Sequence, residues 1–158
     1  MAVVETARER LALLHRVRTV AIVGMSAEPA RASNFVATYL IGRTDWTLWF
    51  VNPHETEILG RPVYPSLSAL PDVPDLVDVF RRRDDLPVVA AEAIEAGAPA
   101  VWFQLGLVHD EAAATAAAAG LDVVQDRCLK IEHARFAGGL HTVGFDTGVI
   151  DSRRTRLV

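Results

Sequence analysis

The segment Gly24-Met25-Ser26-Ala27-Glu28-Pro29-Ala30-Arg31-Ala32-Ser33-Asn34 places a glycine, two hydroxyls and a guanidinium directly after a short apolar run. Gly24 carries no Cβ, so the chain can turn sharply there and approach a phosphate closely. Amides at the start of a following helix, joined by the Ser26 and Ser33 hydroxyls, make a receptor for an anion. Arg31 adds a charged, two-pronged contact. An ordinary strand-to-helix turn capped by a serine would use the same residues. The loop therefore points to anion binding without requiring it.

The loop lacks the dinucleotide fingerprint G-x-G-x-x-G, because Ser26 stands where the second glycine belongs. The acid expected about 20 residues later for a ribose hydroxyl has no counterpart either, since the second apolar run closes on Asn52-Pro53. A Walker A sequence is also absent. Other residues suggest catalysis individually. Cys128 follows Asp126-Arg127, and an adjacent arginine can lower a thiol pKa; an inert, buried thiol is the plainer expectation. His133 falls in a terminal helix, where a surface or capping role is expected, and His141 lies in the tail. Asp78 sits mid-strand between apolar residues, where hydrogen bonds from loop amides would explain it. Asp84 and Asp85 read as helix caps. No nucleophile, base and acid assemble into a set, so the expectation is a binding protein rather than an enzyme.

The elements that must position these residues alternate along the chain. Residues 3–16 carry Leu11 and Leu14 at helical spacing, continued by Val17, and read as a helix against the domain. Thr19–Val23, Thr47–Val51, Leu76–Phe80, Ala100–Gln104 and Asp122–Gln125 read as strands, with a brief further strand at Arg61–Tyr64. Helices fall between them: one capped by Ser33 and running to about Gly42, one capped near Asp84 or Asp85 and stopped at Gly97, and one over the alanine-rich residues 110–119. Alternating strands and helices predict a Rossmann-like α/β fold, with a doubly wound parallel sheet of about five strands in three α/β/α layers. Ligands in such sheets bind beyond the carboxyl ends of the strands, where strand order reverses. That rule selects the loop after Val23, the Asn52-Pro53 joint, the Arg81-Arg82-Arg83 turn and Gln104-Leu105-Gly106.

A chain of 158 residues suits one domain, and 51% hydrophobic with 23% charged residues is a globular balance rather than a disordered one. The net charge of −4 gives no basic stripe for nucleic acid. No apolar run is long enough for a membrane span or a signal peptide. A single cysteine forms no internal disulfide and fits a reducing, cytoplasmic setting.

Six segments in order resemble the small stand-alone CoA-binding proteins, whose fold is similar to the CoA-binding domain of the succinyl-CoA synthetase α subunit. They are residues 20–26, Phe50-Val51-Asn52-Pro53, Ile58-Leu59-Gly60 with residues 63–67, residues 77–82, residues 101–106 and residues 126–133. The likeness spans roughly residues 10 to 136, and the tail after about residue 137 departs from the family. The resemblance implies that Gly24, Ser26, Arg31 and Ser33 surround the pyrophosphate and adenosine part of coenzyme A. Asn52 and Pro53 would flank the adenine, Phe80 and Arg81 would line the cleft, and Gln104 and Gly106 would face the pantetheine arm. The expected domain is residues 1–136, with 137–158 an arm, a short strand near Val143-Gly144-Phe145, or a disordered extension. The expected ligand is coenzyme A or a short acyl-CoA, with no nucleic-acid or membrane partner and a homodimer open. Two other readings fit the same fold: an NAD(P)- or adenine-nucleotide-binding enzyme or regulator, and an interaction subunit that has lost its site.

Overall fold

Short β-branched runs become inner strands, and the segments of helical period between them become the covering layers. The computed structural model describes residues 2–137; the expectations for the tail from residue 138, including His141 and Val143-Gly144-Phe145, lie outside the described residues. In chain order the elements are α1 (Ala7–Arg16), β1 (Thr19–Val23), α2 (Ala32–Arg43), β2 (Thr47–Val51), β3 (Glu57–Ile58) and β4 (Arg61–Tyr64). They continue with β5 (Leu76–Val79), α3 (Leu86–Ala96), β6 (Ala100–Phe103), α4 (Asp110–Ala118), β7 (Asp122–Val124) and α5 (Leu129–Ala137).

The seven strands lie in the order β3-β4-β2-β1-β5-β6-β7. Only β3 runs antiparallel to its neighbour. The parallel part has the doubly wound Rossmann order, which reverses between β1 and β5. The sheet is wider than the expected five strands because the short β4 adds to β2 and the two-residue β3 folds back on β4. Two residues carry no readable period, so β3 leaves no signal in the sequence.

Both faces of the sheet are covered, as parallel sheets require. Val20, Ile22, Leu76 and Trp102 pack under α1, α2 and α5. Ala21, Val23, Val77, Val79, Val101 and Phe103 pack under α3 and α4. Strand alternation puts Asp78 on the same face as Leu76, beneath α1, α2 and α5.

Several local expectations need correction. Helix α1 starts at Ala7, with Thr6 and Glu9 forming a reciprocal capping box. Val3 and Val4 instead run beside β7, where Val4 N–H donates to the Val123 carbonyl. Ser33 does not cap α2: the cap position is Arg31, without a side-chain bond, and the Ser33 hydroxyl is turned toward Ser26. Asp85 does stand at the cap position of α3, as expected, though its side chain makes no cap bond. Asp84 and Asp85 both lie in a 3-10 turn over Arg83–Asp85.

Candidate functional site

Where strand order reverses, Gly24 leaves β1 at φ +84° against the chain leaving β5. A Cβ on Gly24 would lie 2.1 Å from the Phe80 carbonyl oxygen and 3.1 Å from Arg81 Cδ. The glycine is thus required by a close approach of two strand ends, whatever binds there. The same pair is joined by Phe80 N–H donating to the Val23 carbonyl at 2.8 Å.

The loop beyond Gly24 is held by four side chains. Asn52 Nδ2 donates to the Met25 carbonyl at 2.8 Å, and Asn34 Nδ2 donates to the Ser26 carbonyl at 2.9 Å. The Ser33 hydroxyl accepts from Ser26 N–H at 2.9 Å, and the Ser26 hydroxyl accepts from Glu28 N–H at 3.1 Å. Ser33 and Asn34 are buried, as is Met25 beneath the loop. Each of the two expected serines accepts from a backbone N–H and so helps to shape the loop. Asn34 belongs to the same web and was not singled out by sequence reasoning; its signal is an amide side chain in the first turn of a helix, where such groups bond back to the chain. Asn52 accepts from His54 N–H at 2.7 Å while holding Met25, so it fixes the β1 and β2 loops together. Pro53 is exposed beside it. Asn52→Ala removes both bonds and leaves a carbonyl without its partner, a cost of about 1–3 kcal/mol. Urea unfolding is expected to show that loss; an unchanged midpoint would mean that water replaces the amide without penalty.

The web leaves the first turn of α2 open. Its cap residue, Arg31, makes no side-chain bond to the helix, so the first-turn N–H groups have no side-chain cap and carry the helix's partial positive charge. Arg31 is the cap residue itself, and Arg81 follows the strand end that Gly24 meets, its Cδ 3.1 Å from where a Gly24 Cβ would lie. Each is tied only to an exposed carboxylate, Arg31 to Glu28 at 3.2 Å and Arg81 to Asp85 at 3.5 Å. Surface pairs of this kind are weak and exchange readily for a better anion. Lys130, in the first turn of α5, lies 4.3 Å above the exposed Phe35 ring in the first turn of α2, so the two helix starts are neighbours.

Gln104 and Gly106 lie elsewhere in the web of contacts. Gln104 is buried, and its Nε2 donates a short hydrogen bond to Asp78 Oδ1. Gly106 N–H donates to Asp126 Oδ1 at 2.7 Å. Asp78 is fully buried and takes its bond from a side-chain amide, not from the loop amides expected. Burial pushes its carboxyl up to about 8, with the Gln104 bond pulling the other way, and Oδ2 has no partner.

Cys128 precedes α5. Burial pushes its thiol above the ordinary value, opposed by the backbone N–H groups of Ile131 and Lys130 and raised further by Asp78. The expected influence of Arg127 is not realised: its guanidinium pairs with Glu132 and its own loop carbonyl. His133 is neither a cap nor a surface group. It packs half-buried between α2 and the loop to β2, bonded to the Tyr39 hydroxyl at 3.0 Å and edge-on to Trp46, and burial lowers its pKa. Two surface hollows, one of about 600 Å³ over α3 and one beside α1, include none of the candidate residues. The candidate residues lie instead along the carboxyl edge of the sheet, a shelf at the point where strand order reverses. No group of three potential metal ligands, and no helix long and apolar enough to cross a membrane, occurs among the described residues.

Comparison with known proteins follows the same lines. A family model described as a CoA binding domain matches residues 18–134. The uncharacterized protein YneT of Bacillus subtilis is 38% identical over 122 residues, covering 77% of this chain and 90% of YneT. A hypothetical protein from Pyrococcus horikoshii superposes with a TM-score of 0.80 at 36% identity, over 84% of this chain and 93% of that one. A Thermus thermophilus protein does so with a TM-score of 0.77 at 32% identity, over 83% and 98%.

Proposed function

Since the chain belongs to the CoA binding domain family, we propose that it holds coenzyme A, free or with a short acyl group, along the carboxyl edge of its sheet, as a carrier or sensor rather than a catalyst. The observation that carries this reading is the uncapped first turn of α2, opening beside Gly24 where the strand order reverses. Phosphates of the ligand take the first-turn amides there, and Arg31 and Arg81 exchange their surface carboxylates for phosphate oxygens. Asn52 and Pro53 bound the shelf on the β2 side, where the adenine lies, and Phe80 forms its floor. Gln104 acts indirectly: it fixes Asp78, and Gly106 carries the backbone of the next loop past the arm. Ser26 and Ser33 serve by shaping the loop.

Titration calorimetry of the ligand-stripped chain with CoA, and with NAD in parallel, tests this. Saturable heat from CoA alone is the expected result; heat from NAD alone would overturn the assignment. Arg31→Ala and Arg81→Ala should each weaken CoA binding by about three- to ten-fold, the scale of one charge-assisted contact at an exposed site. The loss should shrink as salt is raised. Insensitivity to both replacements, with CoA silent, would leave an interaction subunit as the better account.

A further inference from the structure

The positive charge of the shelf is not confined to its two arginines. Lys130 lies in the first turn of α5, with its Nζ 4.3 Å from the centre of the Phe35 ring and 5.9 Å from that of Tyr39. Among the described residues no carboxylate pairs with it. The acid of that turn, Glu132, is buried and already engaged by Arg10 and Arg127. A lysine in a first turn also stands at the positive end of its own helix dipole, the end that favours anions. Phe35, beneath the ammonium, is 59% exposed, and a cation over a ring in water is only weakly held. Two helix starts and an unpaired ammonium therefore gather positive charge at one place, in a chain whose net charge is −4.

The way the chain enters α5 fixes which part of a ligand Lys130 meets. Helices α2 and α5 each follow a parallel strand, so both begin at the carboxyl edge, and they pack together. The approach to α5 comes from the β6 side. Gly106 N–H donates to Asp126 Oδ1 at 2.7 Å, and Trp102 Nε1 donates to the Arg127 carbonyl at 2.7 Å. In the order β2-β1-β5-β6 this is the flank of β1 opposite to β2 and Asn52. A ligand with its phosphates on the first turn of α2, its adenine toward β2 and its arm toward β6 presents Lys130 with the phosphate from which the arm leaves.

We propose that Lys130 is a specificity-determining residue for the arm half of the ligand. It exchanges the Phe35 ring for the phosphate that carries the pantetheine arm, and so makes the α2–α5 side of the shelf a receptor for 4′-phosphopantetheine, with or without adenosine attached. The proposal rests on the CoA reading above. An ammonium is a compact charge with three donors, suited to phosphate oxygens, and its bond to them is charge-assisted. The helix starts that disfavour the free lysine favour the incoming phosphate.

Titration calorimetry of the ligand-stripped parent, Lys130→Met and Lys130→Arg with CoA, 4′-phosphopantetheine and adenosine 3′,5′-bisphosphate tests this. Methionine keeps an unbranched side chain over the ring, and arginine keeps the charge. The parent should bind 4′-phosphopantetheine saturably. Lys130→Met should weaken CoA and 4′-phosphopantetheine by about three- to ten-fold each and the adenosine bisphosphate by less than about two-fold, and Lys130→Arg should recover most of the loss. An equal loss for all three ligands would show a general effect of surface charge and overturn the proposal, as would no loss for any of them. A loss confined to CoA and the adenosine bisphosphate would overturn it by placing Lys130 on the ribose phosphate. CoA heat without heat from 4′-phosphopantetheine would also overturn it, and in each of these cases the CoA reading stands. Absence of CoA heat from the parent would remove the CoA reading, and this proposal with it.

Discussion

Gly24→Ala is expected to cost the protein about 3–6 kcal/mol and to abolish ligand binding at any temperature where the variant remains folded. Two penalties add. At φ +84° a residue with a Cβ sits in the left-handed region, a strain of about 1–2 kcal/mol. The larger part is steric. The new methyl would lie 2.1 Å from the Phe80 carbonyl oxygen, and that atom is backbone, unable to rotate away. Relief requires the ends of β1 and β5 to part, which breaks the Phe80–Val23 hydrogen bond and opens the edge at the strand reversal. A domain with a total stability of about 5–15 kcal/mol survives this narrowly or not at all. Gly60→Ala separates the two effects. Gly60 also has positive φ, +70°, but nothing lies within 4 Å of its Cβ position, so only the strain remains, about 1–2 kcal/mol. Denaturant midpoints for the two variants should differ by several kcal/mol once converted with a common slope. Similar midpoints would show that the strand ends yield easily, and the close approach would lose its importance for the site.

That contact shows where sequence reading succeeds and where it stops. Gly24 was legible as a special position because glycine after an apolar run signals a sharp turn. Its necessity was assigned to an incoming phosphate, whereas the Phe80 carbonyl, 56 residues away in the chain, imposes it. The alternation of strands and helices was legible for the same reason: strands buried on both faces must be continuously apolar, and helices must show their period. A two-residue edge strand such as β3 carries no such pattern. The loop serines were identified by type, but hydroxyls after a glycine look alike whether they face an anion or their own backbone. Only the packing of Ser33 inward distinguishes the two. Asp78 and Gln104 are separated by 26 positions. Each had a local reading, loop amides for one and the pantetheine arm for the other. Their mutual bond depends on β5 and β6 being neighbours in register, which no local signal encodes.

Asp78→Asn should flatten the part of the pH dependence of stability that this residue imposes, with the difference from the parent growing through neutral pH. The folded carboxyl is pushed by burial from an ordinary 3.8 to about 8. Below pH 4 it is protonated in both the folded and unfolded chain, and its contribution to stability is complete. As pH rises from about 4 to 8 the unfolded chain releases the proton and the folded chain retains it. The unfolded state is then favoured at up to about 1.4 kcal/mol per pH unit. Beyond pH 8 both states are ionised and the loss levels off. Asparagine has nearly the same shape, stays neutral throughout, and can accept from Gln104 through Oδ1. Its Nδ2 replaces the unpartnered Oδ2 and adds a cost of about 1 kcal/mol that does not vary with pH. The variant should thus be slightly less stable than the parent near pH 4 and more stable by a few kcal/mol near pH 8. Burial acts on His133 in the opposite sense, lowering its pKa and weakening the fold as pH falls, so the parent's own profile mixes the two groups. The difference between variant and parent isolates Asp78, because His133 is common to both. Urea unfolding at four or five pH values between 4 and 9 gives that difference directly. A constant offset across the range would mean that the carboxyl is ionised in the folded protein, supported by more than the Gln104 amide.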